Sequence, residues 1–513
     1  KQSVGFDGKW LPQTGPLAGL SEQDARKKVV ELLTEQKLIL NQKPISHAVN
    51  IHERCKKEIE YIALSQWFLK ILPYKKELLA VADTINWSPS FMKARYINWV
   101  ENISWDWCLS RQRYFGIPFP VWHCGSCNEV ILAEQNLLPV DPQTAAVPTA
   151  CPVCASTDIR PDTDVMDTWN TSSLTPYICY QYFKKNTQSI FDDAVVDGFI
   201  PMSMRPQAHD IIRTWAFYTI IKTWMHHGTA PWKDIVISGH VLTDSNQKIS
   251  KSQGGAKLTP ESLLAFYPAD VIRFWTASAT LGQDVAFSEN QLKIGHRLVT
   301  KLWNAYKFVE EHTKNIRLDQ APSVDDLGPI NQWLLHKTSS CFAEYERSFA
   351  QHEFGSALHH IEKLFWSEFC DTYIELVKHQ LFNHAAYDSS HVAATRWTLY
   401  TVGLRIIQLY APYIPYITDD IYQRMYKEQL TLKSLHATKF ANMQKDFNFA
   451  ASIEQAGYVI RLVEQVRKLK TEQQLSLKTA LEKLTVIAPE THLSVLRQQQ
   501  ELVKGVTQAQ VIL

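Results

Sequence analysis

The hydrophobic pattern of this 513-residue chain changes once, near residue 289, and that change most constrains how the chain can fold. Between about residues 66 and 288, strand-like apolar runs such as "DIVISGHVL" alternate with helix-like segments such as "HDIIRTWAFYTIIKTWMHH". This alternation is typical of an α/β sheet with crossover helices. The later segments are long and carry apolar residues at helical spacing, which indicates a packed bundle. We therefore predict an α/β half followed by an all-α half.

Four regions follow from this pattern. Residues 1–65 mix short strands and turns with one helix, for which Ser21 is the expected N-cap. We expect residues 66–288 to form the α/β part and residues 289–445 a helical domain. Residues 446–513 are expected to form a final helical and mixed segment, which includes the strand-like run "EKLTVIA".

Composition and charge exclude little beyond a membrane protein. Lys plus Arg number 53 and Asp plus Glu number 52, so the net charge does not decide whether the chain binds nucleic acid. No apolar run approaches the roughly 18 residues that a membrane span needs. No signal peptide is apparent, so we expect the protein to work in the cytoplasm without membrane contact.

Four of the nine cysteines form two C-x-x-C pairs, "HCGSC" and "CPVC", separated by 23 residues. In a cytoplasmic protein this pattern favours a metal over disulfides, and four thiolates can enclose Zn²⁺ in a tetrahedron. We expect a structural zinc site, because four protein ligands leave no open position for water. The alternative is four reduced core cysteines. The predicted ligands are Cys124, Cys127, Cys151 and Cys154.

Two lysines, Lys248 and Lys251, lie in the short loop "KISKS" after a strand-like run. Ser250 and Ser252 add hydroxyl donors, and the following glycine pair lets the backbone approach a ligand closely. Lysines in loops are usually solvated charges. In this context they form a candidate triphosphate site, where mobile ammonium groups stabilise the charge on a departing pyrophosphate.

The loop "KISKS" resembles the KMSKS signature of class I aminoacyl-tRNA synthetases. The segments "HAVNIHERC", "WDWCLSRQRYFGIPFPVWHC", "DVMDTWNTSSLTP" and "RPQAHDIIRTWAFYTI" narrow the resemblance to valyl-tRNA synthetases. In the helical half, "KLWNAYKFV" and "APYIPYITDDIY" resemble that family's anticodon-binding bundle. The resemblance implies the second half of a Rossmann-type catalytic domain, with a zinc-ribbon insert near residues 121–160.

The same resemblance implies activation of valine with ATP and Mg²⁺, and transfer of the valyl group to the 3′ end of tRNA-Val. Lys248 and Lys251 would be the catalytic residues. The residues implied for ATP binding are Lys248, Ser250, Lys251, Ser252, Gly239 and His240. Those implied for the valine pocket are Trp169, Ile211 and Trp215, and a plain core aromatic is the alternative for Trp215.

Basic residues in two places are candidates for contact with tRNA. Arg111 and Arg113 in "SRQRYFG" are predicted either to contact the tRNA acceptor end or to form a structural ion pair. On the last long helix, positive charge in register with phosphates would suffice for binding, and a solvated helix face is the alternative. These residues are Arg461, Arg467, Lys468 and Lys470.

The chain also departs from the family pattern. No HIGH motif is present, and the first residues resemble the segment that leaves the family's inserted editing domain. We therefore expect that the chain alone does not catalyse valine-dependent ATP–pyrophosphate exchange. A catalytically silent paralogue is the alternative, or a split-enzyme subunit that binds tRNA or a partner chain carrying the HIGH half. Ile249 replaces Met in the signature, and Asn170 stands where a smaller or more apolar residue is expected.

Overall fold

The computed structural model describes residues 2–52, 55–59, 61–184, 198–243, 258–439 and 447–512. The helices are α1 (Glu22–Glu35), α2 (Lys75–Asp83), α3 (Lys93–Asn102), α4 (Thr168–Ser172), α5 (Thr175–Lys184), α6 (Phe217–His227), α7 (Pro260–Leu264), α8 (Ala269–Ala277), α9 (Glu289–His312), α10 (Val324–Ala350), α11 (Phe354–Glu362), α12 (Glu375–Phe382), α13 (Ser389–Tyr410), α14 (Pro415–Met425), α15 (Lys427–Leu430), α16 (Ala450–Glu472), α17 (Glu490–Gln498) and α18 (Gln500–Thr507). The strands are β1 (Phe68–Leu69), β2 (Asn86–Ser88), β3 (Trp107–Cys108), β4 (Ser110–Arg111), β5 (Val121–Cys124), β6 (Val130–Leu132), β7 (Ile159–Pro161), β8 (Val165–Met166), β9 (Met202–Ala208), β10 (Trp232–Ser238), β11 (Val241–Leu242), β12 (Val285–Ala286), β13 (Leu481–Leu484) and β14 (Ala509–Ile512).

The chain divides into two compact units. The first comprises residues 1–76 and 102–175, and the second comprises residues 77–101 and 176–513. The α/β sheet and the helical bundle therefore share one unit, while the cysteine-bearing segment belongs to the other. The boundaries expected from the sequence, at 65, 288 and 445, stay predictions.

The first unit is built from small antiparallel sheets. β1 pairs with β3, β4 pairs with β8, and β5 lies between β6 and β7. A buried carboxylate, Asp162, ties the sheets together, because its Oδ2 lies 2.8 Å from Nε1 of Trp67 and 2.9 Å from Nε2 of His123. The Trp67 ring also stacks on Phe119, with centroids 5.8 Å apart. Near the N-terminus, α1 begins as predicted, since the side chain of Ser21 caps it.

The second unit contains a parallel sheet in the order β2-β10-β9. The helix α6 connects β9 to β10, so these elements form a β-α-β unit, as the alternating pattern predicts. In the central strand β10, Ile235, Val236 and Ile237 are all buried in succession. A strand covered on both faces needs a continuous apolar run, which explains the sequence "DIVIS".

The described residues between 289 and 439 are mainly helical and pack as a bundle, as the predicted fold class requires. Helix α13 is buried along most of its length and lies against α10 and α12. Its Thr395 takes part in a buried hydrogen-bond network, in which Asn331 and Gln380 supply side-chain amides and Tyr373 supplies a hydroxyl. Because each of these polar groups finds a partner, the bundle can bury them at little net cost.

Helix α8 joins the α/β part to the bundle through two side chains. The buried carboxylate of Asp270 accepts hydrogen bonds from the backbone amides of Tyr416 (3.2 Å) and Ile417 (2.8 Å), in the first turn of α14. One turn later, the Arg273 guanidinium donates to the carbonyl oxygens of Pro412 and Tyr413. The amides of Tyr416 and Ile417 have no partner within α14, and the carbonyl groups of Pro412 and Tyr413 lie in the turn before it, so these contacts satisfy both sets of groups.

We predict that Asp270→Ala lowers the free energy of unfolding by roughly 2 kcal/mol, because two partly buried amides at the start of α14 lose a charged acceptor. Asp270→Asn keeps one acceptor oxygen and should lose about half as much. Urea denaturation followed by circular dichroism measures both. A midpoint for Asp270→Ala equal to that of the wild type would contradict the capping role.

The C-terminal residues form a small layer against the bundle. α16 packs on α10, and it also contacts α17 and α18. β13 and β14 pair in parallel, so the strand predicted in "EKLTVIA" is found over its first three residues only, within Leu481–Leu484. Among the helices that the structure describes, none is long and apolar enough to cross a bilayer.

Candidate functional site

The carboxyl ends of β9 and β10 form a polar edge, where ligands of open parallel sheets commonly bind. His209 follows β9, and His240 follows β10, with ring centroids 4.5 Å apart. Asp284 lies between them: its Oδ1 is 2.9 Å from Nε2 of His209 and accepts the backbone amide of His240 at 2.7 Å. The pKa of Asp284 is lowered, first by this backbone hydrogen bond and then by that with His209.

The hydrogen-bond roles of the two His209 ring nitrogens follow from its second neighbour, Arg95. Nη1 of Arg95 lies 3.1 Å from Nδ1 of His209, and a guanidinium can only donate. Nδ1 therefore accepts, and Nε2 carries the hydrogen that points to Asp284. Of these residues, only His240 is predicted from the sequence; His209, Asp284 and Arg95 are not. Their contacts span 44 to 114 residues of sequence, and no local motif indicates them.

Gly239 is required by the geometry of this edge. A Cβ at this position would lie 1.9 Å from the carbonyl oxygen of Gln283 and 2.6 Å from the amide nitrogen of Asp284. Only a hydrogen fits, so glycine lets the segment after α8 reach the end of β10. The predicted ATP-binding residues Gly239 and His240 are thus held beside Asp284.

The predicted catalytic loop begins just after this edge. β11 pairs in parallel with β12, and the described backbone then continues to Thr243. Lys248, Ser250, Lys251 and Ser252 all lie outside the described residues, which resume at position 258.

Two residues predicted for the valine pocket lie in the second unit. Trp215 is 8% exposed, and Ile211 is partly buried one turn before it. The Arg205 guanidinium covers the indole of Trp215, with its Cζ 3.0 Å from the ring centroid. Burial lowers the pKa of Arg205 to about 10. Because Arg205 projects from β9 and Trp215 from the π-helical turn Ile212–Ala216 before α6, only the tertiary fold brings them together.

The third pocket residue, Trp169, lies in the first unit on α4 and is partly buried. The neighbouring Asn170 is buried, and its Oδ1 has no hydrogen-bond partner in the part of the chain that the structure describes. The same holds for Oδ2 of Asp167, at the start of the helix. Two buried acceptors beside Trp169 therefore lack donors, which native structures rarely tolerate without a ligand or water.

The four cysteines lie on two turns with the same hydrogen bonds. In the first turn, the Cys124 amide donates to the carbonyl of Glu129, and the Asn128 amide donates back to that of Cys124. In the second turn, the Cys151 amide donates to Ser156, and the Ala155 amide donates to Cys151. The fourth residue after each first cysteine has a positive φ, 59° at Asn128 and 56° at Ala155. Each of the two equivalent turns thus directs two thiols toward the same point.

The sulfur positions fit a tetrahedral metal ion. All four Sγ atoms lie within 4.8 Å of one another, and two pairs, Cys124–Cys154 and Cys127–Cys151, are 3.6 Å apart. Zn–S bonds of about 2.3 Å in a tetrahedron require S–S separations of about 3.8 Å. None of the four forms a disulfide.

Proton binding at these thiols is strongly perturbed. The pKa of Cys124 falls to about 6, chiefly because the backbone amide of Cys127 donates to its sulfur. The backbone amide of Glu129 lowers the pKa of Cys127, and that of Ser156 lowers the pKa of Cys154. Hydrogen bonds with neighbouring thiols, together with burial, outweigh both effects. The net pKa is raised for both, to about 12 for Cys127. Crowded thiols with this pattern must lose protons to bind a cation, so binding weakens as pH falls.

Some of the candidate tRNA-binding side chains are held by contacts within the protein, and others lie at the surface. Arg111 donates to the carbonyl oxygens of Cys108 and Ser110, and its Nη2 lies 3.2 Å from Asp167, which matches the alternative of a structural ion pair. Lys470 is 3% exposed and donates to three carbonyl oxygens, so its ammonium is not presented to a ligand. Arg113 is exposed.

The other three basic residues on α16 keep surface positions. Arg461 lies over the Tyr458 ring at 5.2 Å, and Arg467 is 3.6 Å from Glu375. Lys468 is 3.9 Å from Glu472, with a largely exposed side chain. Contacts of this length between exposed groups are weak and leave the charges available to phosphates.

Two families match this chain in succession. Residues 17–288 match "tRNA synthetases class I (I, L, M and V)". Residues 331–486 match "Anticodon-binding domain of tRNA ligase". Their order confirms the predicted fold class, a class I synthetase catalytic part followed by a helical anticodon-binding domain.

Individual relatives carry the name valine–tRNA ligase. The chain is 39% identical over 482 residues to that of Rickettsia conorii, covering 91% of this chain and 57% of that protein. It is 39% identical over 472 residues to the valine–tRNA ligase of Anaplasma marginale, and that alignment covers 91% of this chain and 55% of that protein. The chain thus spans little more than half the length of these curated relatives.

A solved structure supports the fold alone. The apo form of Mycobacterium tuberculosis methionyl-tRNA synthetase gives a TM-score of 0.52 at 16% identity, covering 76% of this chain and 70% of that one.

Proposed function

This chain belongs to the class I tRNA synthetase family, and we infer that it provides part of the machinery that activates valine with ATP and transfers it to tRNA-Val. Its 39% identity to valine–tRNA ligases supports the choice of valine. The observation that carries the proposal is the polar edge of His209, His240 and Asp284 directly before the "KISKS" loop. The cytoplasm is the proposed site of action.

In the proposed reaction, ATP enters as its magnesium complex and lies along the edge formed by Gly239 and His240. Lys248 and Lys251 would donate to the triphosphate most strongly as pyrophosphate departs, because charge then accumulates on the leaving oxygens. Ser250 and Ser252 would add neutral donors. The catalytic contribution of the loop is therefore positioning and charge stabilisation, with no covalent step through its residues.

We propose that valine contacts the indole of Trp215 and the side chain of Ile211, both in the second unit. Trp169, in the first unit, is proposed as a valine contact from the resemblance alone. The Arg205 guanidinium against Trp215 fixes the orientation of that ring and reduces its freedom to adjust to a larger side chain. An apolar pocket distinguishes two substrates that differ by one methylene by only about 1–3 kcal/mol of binding free energy.

We also propose that the four cysteines hold a structural Zn²⁺, since four thiolates leave no site for substrate or water.

The nucleotide part of this proposal has a direct binding test. In the 513-residue chain, Lys248→Ala combined with Lys251→Ala should weaken ATP binding roughly tenfold or more, because charged hydrogen bonds to phosphate are lost. Adenosine affinity should change less than about twofold, since no phosphate is involved. Isothermal titration calorimetry measures both constants.

Lys233→Ala is the matched control, because Lys233 is exposed near the amino end of β10, opposite the polar edge. It should leave ATP binding unchanged. Equal loss of ATP and adenosine affinity in the double variant would show that the loop lysines do not act on phosphates. Unchanged ATP affinity would remove them from the proposed site altogether.

A further inference from the structure

A small cavity lies inside the second unit, where the helical bundle meets the C-terminal layer. Its volume is about 240 Å³, which is below the roughly 300–1,000 Å³ of pockets that bind drug-sized ligands, so it suits a molecule of a few carbon atoms. Polar groups around the cavity come mainly from α10, α12, α13 and the junction of α17 with α18. Its apolar lining consists of the buried side chains of Leu327, Ile330, Val377 and Leu502.

A directed chain of hydrogen bonds ends at this cavity. The Tyr373 hydroxyl donates to Oδ1 of Asn331 (2.6 Å), and Nδ2 of Asn331 donates to Oγ1 of Thr395 (3.1 Å). Thr395 then gives its single hydroxyl hydrogen to Oε1 of Gln380 (3.1 Å). The Asn331 amide cannot be turned around, because its Nδ2 also donates to the carbonyl oxygen of Leu327. The amide oxygen of Gln380 is therefore fixed on Thr395.

This orientation leaves the amide nitrogen of Gln380 free to donate into the cavity. Gln380 is 6% exposed and lines the cavity, and its Nε2 has no acceptor in the described parts of the chain. Leaving two buried N–H groups unpaired lowers stability, and native structures rarely tolerate it. The nitrogen therefore requires an acceptor atom inside the cavity, from a ligand or from water.

The first turn of α18 supplies further donors at the same cavity. The backbone amides of Gln500, Glu501 and Leu502 have no acceptor within α18, as expected at the start of a helix. They also find none elsewhere in the residues that the structure describes, and Gln499 provides no side-chain cap. All four residues line the cavity. The positive end of a helix dipole favours an anion, and the nitrogen of Gln380 is an independent donor facing the same space.

The junction between α17 and α18 is held in place by its neighbours. Tyr387 donates to the carbonyl oxygen of Glu501 at 3.1 Å. Gly505 packs so closely on α12 that a Cβ there would lie 2.3 Å from Nδ1 of His379. The carboxylate of Glu501 is paired with Lys504 at 3.0 Å, which offsets its negative charge. The donors are therefore preorganised, and a ligand need not order them.

We propose that this cavity binds a small aliphatic carboxylate, with its oxygens on Nε2 of Gln380 and the first amides of α18 and its carbon chain against the apolar lining. A carboxylate offers two acceptor oxygens and a negative charge, whereas a neutral carbonyl group leaves the helix end without a countercharge. Water alone would satisfy the donors but would leave the apolar lining without a partner. The site does not depend on the proposed reaction of valine with ATP.

Butyrate is the probe for the 513-residue chain, titrated by saturation-transfer difference NMR with butyramide and formate as comparisons. Butyrate should bind at roughly millimolar concentration, as expected for so few atoms. Butyramide and formate should bind roughly tenfold or more weakly, because the first lacks the charge and the second lacks the carbon chain. Hydrogen exchange in the presence of butyrate should slow at the amides of residues 500–502, which identifies the site.

Variants test the individual donors. Gln380→Glu keeps the size of the side chain and an oxygen for Thr395 but replaces the free donor with negative charge, so butyrate binding should weaken by roughly tenfold or more. Gln408→Glu is the matched control, since Gln408 is an equally buried glutamine of the bundle, 5% exposed, outside the lining of this cavity. Arg497→Glu changes the exposed rim and keeps the test decisive if Gln380→Glu does not fold. It should weaken binding roughly threefold, and less at high salt.

The inference is overturned if butyrate does not bind, in which case the donors hold water only. It is also overturned if Gln380→Glu binds butyrate as tightly as the wild type, if butyramide or formate equals butyrate, or if exchange slows elsewhere and not at residues 500–502. Loss of binding in Gln380→Glu or Arg497→Glu, with normal binding in Gln408→Glu and protection of residues 500–502 in the wild type, supports it.

Discussion

Replacing Cys151 with serine is expected to remove about one zinc ion per chain and to unfold the antiparallel sheet around it. The strands β5, β6 and β7 pair over only three residues at each ladder, so the sheet has little stability of its own. Structural zinc sites in small domains contribute roughly 10–16 kcal/mol of apparent binding free energy. The change should appear in metal analysis and as protease cleavage within residues 121–161.

Cys55→Ser is the matched control, because Cys55 is exposed in the same unit and lies apart from the four-cysteine cluster. It should leave both zinc content and protease resistance unchanged. Chelator treatment of the wild type should reproduce the Cys151→Ser result, and zinc loss should increase as pH falls, since protons compete for the thiolates. A Cys151→Ser protein that retains a full complement of zinc would refute the four-cysteine site.

Lys470→Met is expected to destabilise the C-terminal layer by roughly 3 kcal/mol or more. The buried ammonium donates to the carbonyl oxygens of Leu477 at 3.0 Å, Thr479 at 2.6 Å and Thr507 at 2.8 Å. One side chain thereby joins the end of α16, the loop after it and the end of α18. Methionine preserves the apolar stem but leaves three carbonyls without this donor. Hydrogen exchange of residues 477–512 measures the loss.

Lys468→Met, two residues earlier on the same helix, is the matched control. Its side chain is 77% exposed, and its contact with Glu472 is 3.9 Å long, so removal should change stability by less than about 0.5 kcal/mol. If the two variants showed equal protection of β13 and β14, Lys470 would not hold the layer. If Lys470→Met reduced tRNA binding without changing hydrogen exchange, the original tRNA-binding assignment would be restored.

Features governed by local spacing could be predicted from the sequence. Ser21 was expected to cap α1, and its side chain does so. The two C-x-x-C pairs predicted a common site, and the structure gathers their sulfurs within 4.8 Å. In both cases the determining residues are close in sequence, or they form turns whose geometry depends on few residues. Local conformational preferences then suffice.

Pairings between distant residues could not be predicted. Arg111 and Lys470 are basic residues in exposed-looking contexts, yet one is paired with Asp167 and the other is buried among carbonyl groups. Arg205 covers Trp215, and Asp284 joins His209 to His240. An arginine or lysine looks the same in the sequence whether its charge faces water or a buried acceptor. Which of the two occurs depends on the segments that pack against that side chain.

By itself, the sequence determined the order of an α/β part and a helical bundle, the likeness to synthetases, and the four cysteines of one site. These properties depend on hydrophobic periodicity and on spacings of a few residues, which persist in any environment of the chain. The tertiary structure alone decided which polar groups are engaged and which are left exposed, as with Lys470 and Lys468. Burial and hydrogen bonding are properties of contacts between segments, and a single segment does not contain them.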